Sequence, residues 1–203
     1  MRIIESNSKI EKEINSIIAK QAFSVLKKRK EAIRTKIVNI VAKSLSISPT
    51  LDELVNGKLK YDFGLEFNPV PDIIYAVSNS VSLGINPIGD KRFKKQSLVT
   101  LYVQPRTYNN LLSLAIAEQD IDRGETIPWL KWLLLEGDEI IIFDYEVEYG
   151  TGFGRSGGAR MKESNGFFKV NPAHSGTRDD NFITKAISAA SDEIIAALQE
   201  GLR

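Results

Sequence analysis

Three acidic side chains, Asp144, Glu146 and Glu148, alternate with apolar ones in the run EIIIFDYEVEYG. On a β-strand, residues two apart share a face, so these carboxylates would form a row. Such a row can hold Mg²⁺ or Ca²⁺ through oxygen ligands or serve a two-metal nuclease. The intervening Phe143, Tyr145, Val147 and Tyr149 support a plainer reading, a half-buried antiparallel strand with an acidic wet face. Just downstream, Gly152-Phe153-Gly154-Arg155-Ser156-Gly157 satisfies G-x-G-x-x-G. A dinucleotide site also needs a helix opening at the third glycine and an acid ending the next strand. The following GARMKESNGFFKV has neither, so the glycines read as an extended hairpin loop. His174 is the sole histidine, flanked by Ser175 and near Asp179. There is no nucleophile elbow, and neighbours in sequence do not make a triad. The leading expectation is therefore no catalytic residue, no metal and no cofactor.

Charge is unevenly distributed. Between Lys20 and Lys43 lie eight basic residues and one acid, Glu31; between Glu118 and Glu148 lie ten acids and two bases. Two complementary patches of this kind can pair within a subunit or between neighbours; each can equally be a solvated face. Lys27, Lys28, Arg29 and Lys30, with the second cluster at residues 92–95, could instead contact nucleic acid. The net charge of only +1 argues against a dedicated binder, because neutralising phosphates calls for a clear basic excess. Absence of cysteine rules out disulfide scaffolds, thiolate nucleophiles and thiolate metal sites. The opening MRIIESNSKIEKE lacks an apolar signal region, and no apolar run approaches the ~20 residues that span a bilayer. A soluble protein made in the cytosol is expected.

The elements that must position these groups follow from periodicity. Residues 8–46 contain no Gly or Pro and repeat apolar positions at helical spacing, thinning at KKRKE. A continuous helix would be about 58 Å long, against about 40–45 Å for a globule of this size, so it projects or hinges. Thr50 to Glu53 matches a capping box opening a short helix closed by Gly57. Residues 58–67 alternate as a strand, with a bulge or an early end at Gly64. Asp72 caps a helix closed by Gly84, residues 97–104 form a strand, residues 108–118 a helix, and Pro128 opens an apolar segment ended by Gly137. Residues 140–149 form the clearest strand. The last helix carries Ile183, Ile187, Ala190, Ile194 and Leu198 as a seam to pack on the sheet. The block WLKWLLLEGDEIIIF is core by default and an inter-subunit surface by alternative. The fold class is α+β: a small antiparallel sheet flanked by helices, with a helical arm over residues 1–48 and the domain proper over 49–203.

Over residues 97–203 the chain resembles the tail-completion and neck proteins of tailed bacteriophages, the tail-component group of lambdoid type. The resemblance is carried by the order of elements and by three short motifs: Tyr149-Gly150-Thr151, Asn171-Pro172 and Asn181-Phe182-Ile183-Thr184-Lys185-Ala186. The long N-terminal helix and residues 57–84 depart from that pattern. The resemblance implies a structural virion protein and not an enzyme. It would be a subunit of a hexameric ring at the head–tail junction, as neck, tail-completion or tail-terminator protein, assembled in the host cytoplasm. Its partners would be further copies of itself and other neck and tail-tube proteins, with DNA passing through the lumen and no membrane. Heterologous ring contacts pair two different patches on each subunit, and the basic arm and acidic body supply two. The expected interface residues are Lys27, Lys28, Arg29, Lys30, Asp144, Glu146, Glu148, Phe153, Arg155 and Arg160. A metal-dependent nuclease on the acidic strand face and a nucleic-acid-binding module remain as alternatives.

Overall fold

The computed structural model describes residues 7–86, 99–120, 126–137 and 139–201; the basic cluster at 92–95 and the first residues of the strand expected from 97 lie outside them. Helix α1 (Asn7–Ser46) runs unbroken for 40 residues. The KKRK run does not hinge it, because Lys and Arg are good helix formers and no Gly or Pro interrupts the ladder. Leu26, Ile33, Ile37, Val41 and Leu45 form a buried stripe along its second half. Before Leu26 no described side chain of α1 is buried. The free arm is therefore the first half of the helix, and the second half is core.

After α1 the chain departs from expectation in three linked places. Helix α2 (Pro49–Asn56) opens with Ser48 as its N-cap residue and Pro49 in the first turn, where a missing N–H costs nothing. The Thr50–Glu53 capping box does not form. The Thr50 hydroxyl meets His174 Nδ1 at 3.2 Å, and Glu53 accepts from the Lys58 backbone N–H at 2.8 Å. Residues 58–62 are not a strand but helix α3 (Lys58–Asp62). Leu59 and Phe63, one turn apart, are both buried, and the alternation that suggested a strand is set aside by that packing. Gly64, at φ 65°, is the left-handed residue of a Schellman ending: Gly64 N–H bonds the Tyr61 carbonyl at 3.1 Å and Leu65 N–H the Lys60 carbonyl at 2.9 Å.

Helix α4 (Val70–Ser80) is entered through Asn68, whose side chain accepts from Val70 N–H at 3.0 Å; Asp72 lies inside the first turn. Gly84 does not close this helix. It belongs to strand β1 (Ser82–Ile85), opposite Thr100 of the antiparallel β2 (Val99–Tyr102). The helix expected over 108–118 is divided into α5 (Asn109–Leu112) and a 3₁₀ turn at Ala115–Ala117, because Leu114 adopts an extended conformation between them. Two short strands, β3 (Gln119–Asp120) and β4 (Thr126–Ile127), pair antiparallel. Helix α6 (Trp129–Leu134) buries Trp129, Leu130, Leu133 and Leu134. Trp129 donates its indole N–H to the Ile116 carbonyl at 2.7 Å, satisfying the polar edge of a fully buried ring.

Strands β5 (Ile140–Tyr149) and β6 (Ala159–Lys169) form an antiparallel hairpin across the glycine loop. The C-terminal helix is two helices, α7 (Phe182–Ala189) and α8 (Ser191–Glu200), broken at Ala190. They lie against α1, not on a sheet. Ser44 donates to the Ala186 carbonyl at 2.7 Å, and Lys36 and Lys43 pair with Glu200 and Glu193. The class is α+β, with three separate two-stranded antiparallel sheets among the described residues in place of one small sheet.

Candidate assembly interface

The free half of α1 carries an exposed apolar stripe. Ile14, Ile17 and Ile18, at helical i, i+3, i+4 spacing, are 50%, 56% and 57% exposed. About two and a half to three turns further toward the body stand Lys27, Lys28, Arg29 and Lys30. They form no ion pair among the described residues; Glu31 lies 4.0 Å from Arg34 instead. Lys36 and Lys43 of α1 pair with acids of α8 and not with the acidic stretch between residues 118 and 148. Neither of these two pairs joins the basic run to the acidic body.

The acidic row on β5 is broken by the backbone. Asp144 sits at φ 63°, and the ladder slips there, so Phe143 pairs with Phe167 while Tyr145 pairs with Glu163. This is a β-bulge, which re-aims a side chain and bends the strand. Glu146 stands opposite Lys162. Glu148 is held by Arg160 at 2.7 Å and Lys162 at 3.4 Å, and the Arg160 hydrogen bond pulls its carboxyl below the usual glutamate range. The three carboxylates therefore have three different environments. Among the described residues no three His, Asp or Glu side chains gather at metal-binding distance. The face expected to be buried is only half covered: Tyr145 and Val147 are partly buried, but Phe143 and its cross-strand partner Phe167 are 64% and 51% exposed.

The glycine loop is a structured hairpin end. Gly152, Gly154 and Gly157 all take positive φ, and backbone bonds from Gly150 to Gly158 and from Gly152 to Gly157 close it. No helix follows its third glycine, because β6 begins two residues later. Phe153 lies beneath the Arg160 guanidinium, 4.2 Å from the ring centre, and Arg155 donates to the Asp120 carbonyl. Of the expected contact residues, Glu148, Phe153 and Arg160 thus form one cluster. Arg155 joins the loop to β3, and Lys27 to Lys30 lie on α1 just past Leu26, its first buried side chain.

Sequence reading missed the groove of about 460 Å³ between α2, α3 and the hairpin. Tyr149 donates its hydroxyl to Asp62 at 2.5 Å across its wall. Burial raises the Asp62 carboxyl above the ordinary aspartate range, opposed by the Tyr149 bond and by Lys58; burial and the facing Asp62 likewise raise the Tyr149 phenol. Once residues 58–62 are read as a strand, nothing in sequence brings Asp62 to Tyr149. His174 lines the same groove and meets Thr50 at its Nδ1, while Asp179 pairs with Arg106 at 3.3 Å and Ser175 bonds the Pro172 carbonyl at 3.4 Å. A Ser-His-Asp relay is not assembled. No protein-family model, no curated protein and no solved structure matches this chain.

Proposed function

We propose that the chain is a structural subunit of a homo-oligomeric ring at the head–tail junction of a tailed phage, in a neck, tail-completion or tail-terminator role. The observation that carries this reading is a pair of unlike exposed surfaces on separate projections. One is helix α1, with a bare isoleucine stripe and, next to it, cations that form no ion pair among the described residues; the other is a two-stranded hairpin with bare aromatics and acids that form none there either. Two different patches on one subunit make heterologous contacts, and these close into rings when the rotation permits. The motifs at residues 149–151, 171–172 and 181–186 supply the virion context. Among the described residues, the titratable groups next to the hairpin are engaged in structural pairs or stand separately on the surface. Negative-stain imaging of the purified protein tests the proposal. Closed rings with an open centre are expected, and dispersed single particles at every concentration would contradict it.

A further inference from the structure

Resting on that ring reading, we infer that the contact between neighbouring copies is made by the α1 arm of one chain lying on the β5–β6 hairpin of the next. The arm cannot cover its own hairpin in this way. Helix α1 is continuous and its second half is clamped in the core from Leu26 to Leu45, so Ile14, Ile17 and Ile18 are carried about 12 to 18 Å beyond the first buried turn at ~1.5 Å per residue. A second copy can supply what they lack. Residues at i, i+3 and i+4 on one helix face are the spacing by which an amphipathic helix docks onto an apolar surface, and the exposed Phe143–Phe167 pair is such a surface.

Charge chooses the hairpin over a second arm. Asp144, Glu146 and Glu163 on the hairpin are exposed and form no ion pair among the described residues, and neither do Lys27, Lys28, Arg29 and Lys30, which follow the arm on α1. Glu148, the remaining hairpin acid, is neutralised locally by Arg160 and Lys162. Of these cations Lys28 and Arg29 lie on the isoleucine side of the helix, so arm on hairpin sets two cations toward three anions. Two parallel arms would oppose cation to cation, and opposed like charges cost affinity.

The chain has no cysteine, so introduced thiols report a single contact. Ile18→Cys and Phe167→Cys are both at exposed positions and leave the core untouched. Mixed under mild oxidation, the two variants are expected to form a disulfide-linked dimer in which each chain carries one of the two changes, while Phe167→Cys alone stays uncrosslinked. A second pair removes the contact: Ile14→Asp with Ile17→Asp on the arm, and Phe143→Asp with Phe167→Asp on the hairpin. Each double variant alone should be monomeric. Their equimolar mixture should stop at a dimer, since only one intact arm and one intact hairpin remain to meet. Self-crosslinking of Ile18→Cys with no mixed product would mean that arms pair with arms, and overturns the inference. Rings that persist in the arm variant also overturn it but leave the ring reading standing. Absence of any assembly by the unmodified chain overturns the ring reading itself.

Discussion

The side-chain amide of Asn181 donates to the Tyr108 hydroxyl at 2.8 Å, and the same hydroxyl donates to the Arg178 carbonyl at 3.1 Å. This joins segments 73 residues apart at the point where the chain turns into its C-terminal helices. Asn181 is fully buried, accepts from Ile183 and Thr184 N–H to cap α7, and donates to the Thr177 carbonyl at 2.9 Å. Tyr108 meets it from a left-handed backbone conformation at φ 53°, a strained state for an aromatic residue.

Asn181→Ala removes the cap and leaves buried partners unsatisfied, so it should destabilise the fold by about 3 kcal/mol. Asn181→Asp keeps a cap acceptor but loses the donors and sets a carboxylate against carbonyls, so it should not rescue. Tyr108→Phe should cost about 1–2 kcal/mol. The Tyr108 and Asn181 changes should be non-additive in a double-mutant cycle. Urea unfolding measures all of these, and simple additivity would show that the two groups act separately.

Removing residues 1–20 takes away no described buried side chain. Monomer stability should then change by less than about 0.5 kcal/mol, while assembly should be lost. Loss of cooperative unfolding in the truncated chain would show that the arm belongs to the core.

Asp62 has a folded-state pKa above its unfolded value, because burial disfavours the carboxylate. The folded state therefore binds the proton more tightly. Its contribution is fully present below the ordinary aspartate pKa and is lost as pH rises through the raised folded value, with no further change above it. Asp62→Asn retains an acceptor for Tyr149 and should flatten that part of the stability–pH curve while raising stability at neutral pH. An unchanged curve in the variant would remove Asp62 as the cause.

Gly154 and Gly152 both adopt positive φ, at 60° and 81°, but only Gly154 faces backbone: a methyl group there would collide with the Ala159 carbonyl, whereas Gly152 opens onto free space. Gly152→Ala should cost about 1 kcal/mol from its conformation alone. Gly154→Ala should cost clearly more and disturb the start of β6. Equal penalties, read by thermal unfolding, would show that the loop is not held in this shape.

Much of the fold is legible where a pattern is long. The unbroken apolar repeat of α1, the alternation along β5 and the Asn181 entry into α7 each state their element locally. Legibility fails where a short segment takes its structure from what it packs on. Residues 58–67 alternate like a strand, yet Leu59 and Phe63 reach the core only on a helix, and Gly64 ends that helix instead of bulging a sheet. The C-terminal seam was visible, but not that α1 would be its partner. At the candidate site, periodicity placed Asp144, Glu146 and Glu148 on one face. The left-handed backbone at Asp144 and the Arg160 bond to Glu148 depend on the partner strand, and no spacing within β5 reveals them.

The most direct test of the ring reading is the mass of the unmodified protein in solution, by native mass spectrometry or light scattering, at low salt and at about 1 M salt, where the screening length falls to about 3 Å. A closed hexamer at low salt that separates into smaller species at high salt is the predicted result. A strict monomer at every concentration and both salt levels would contradict it.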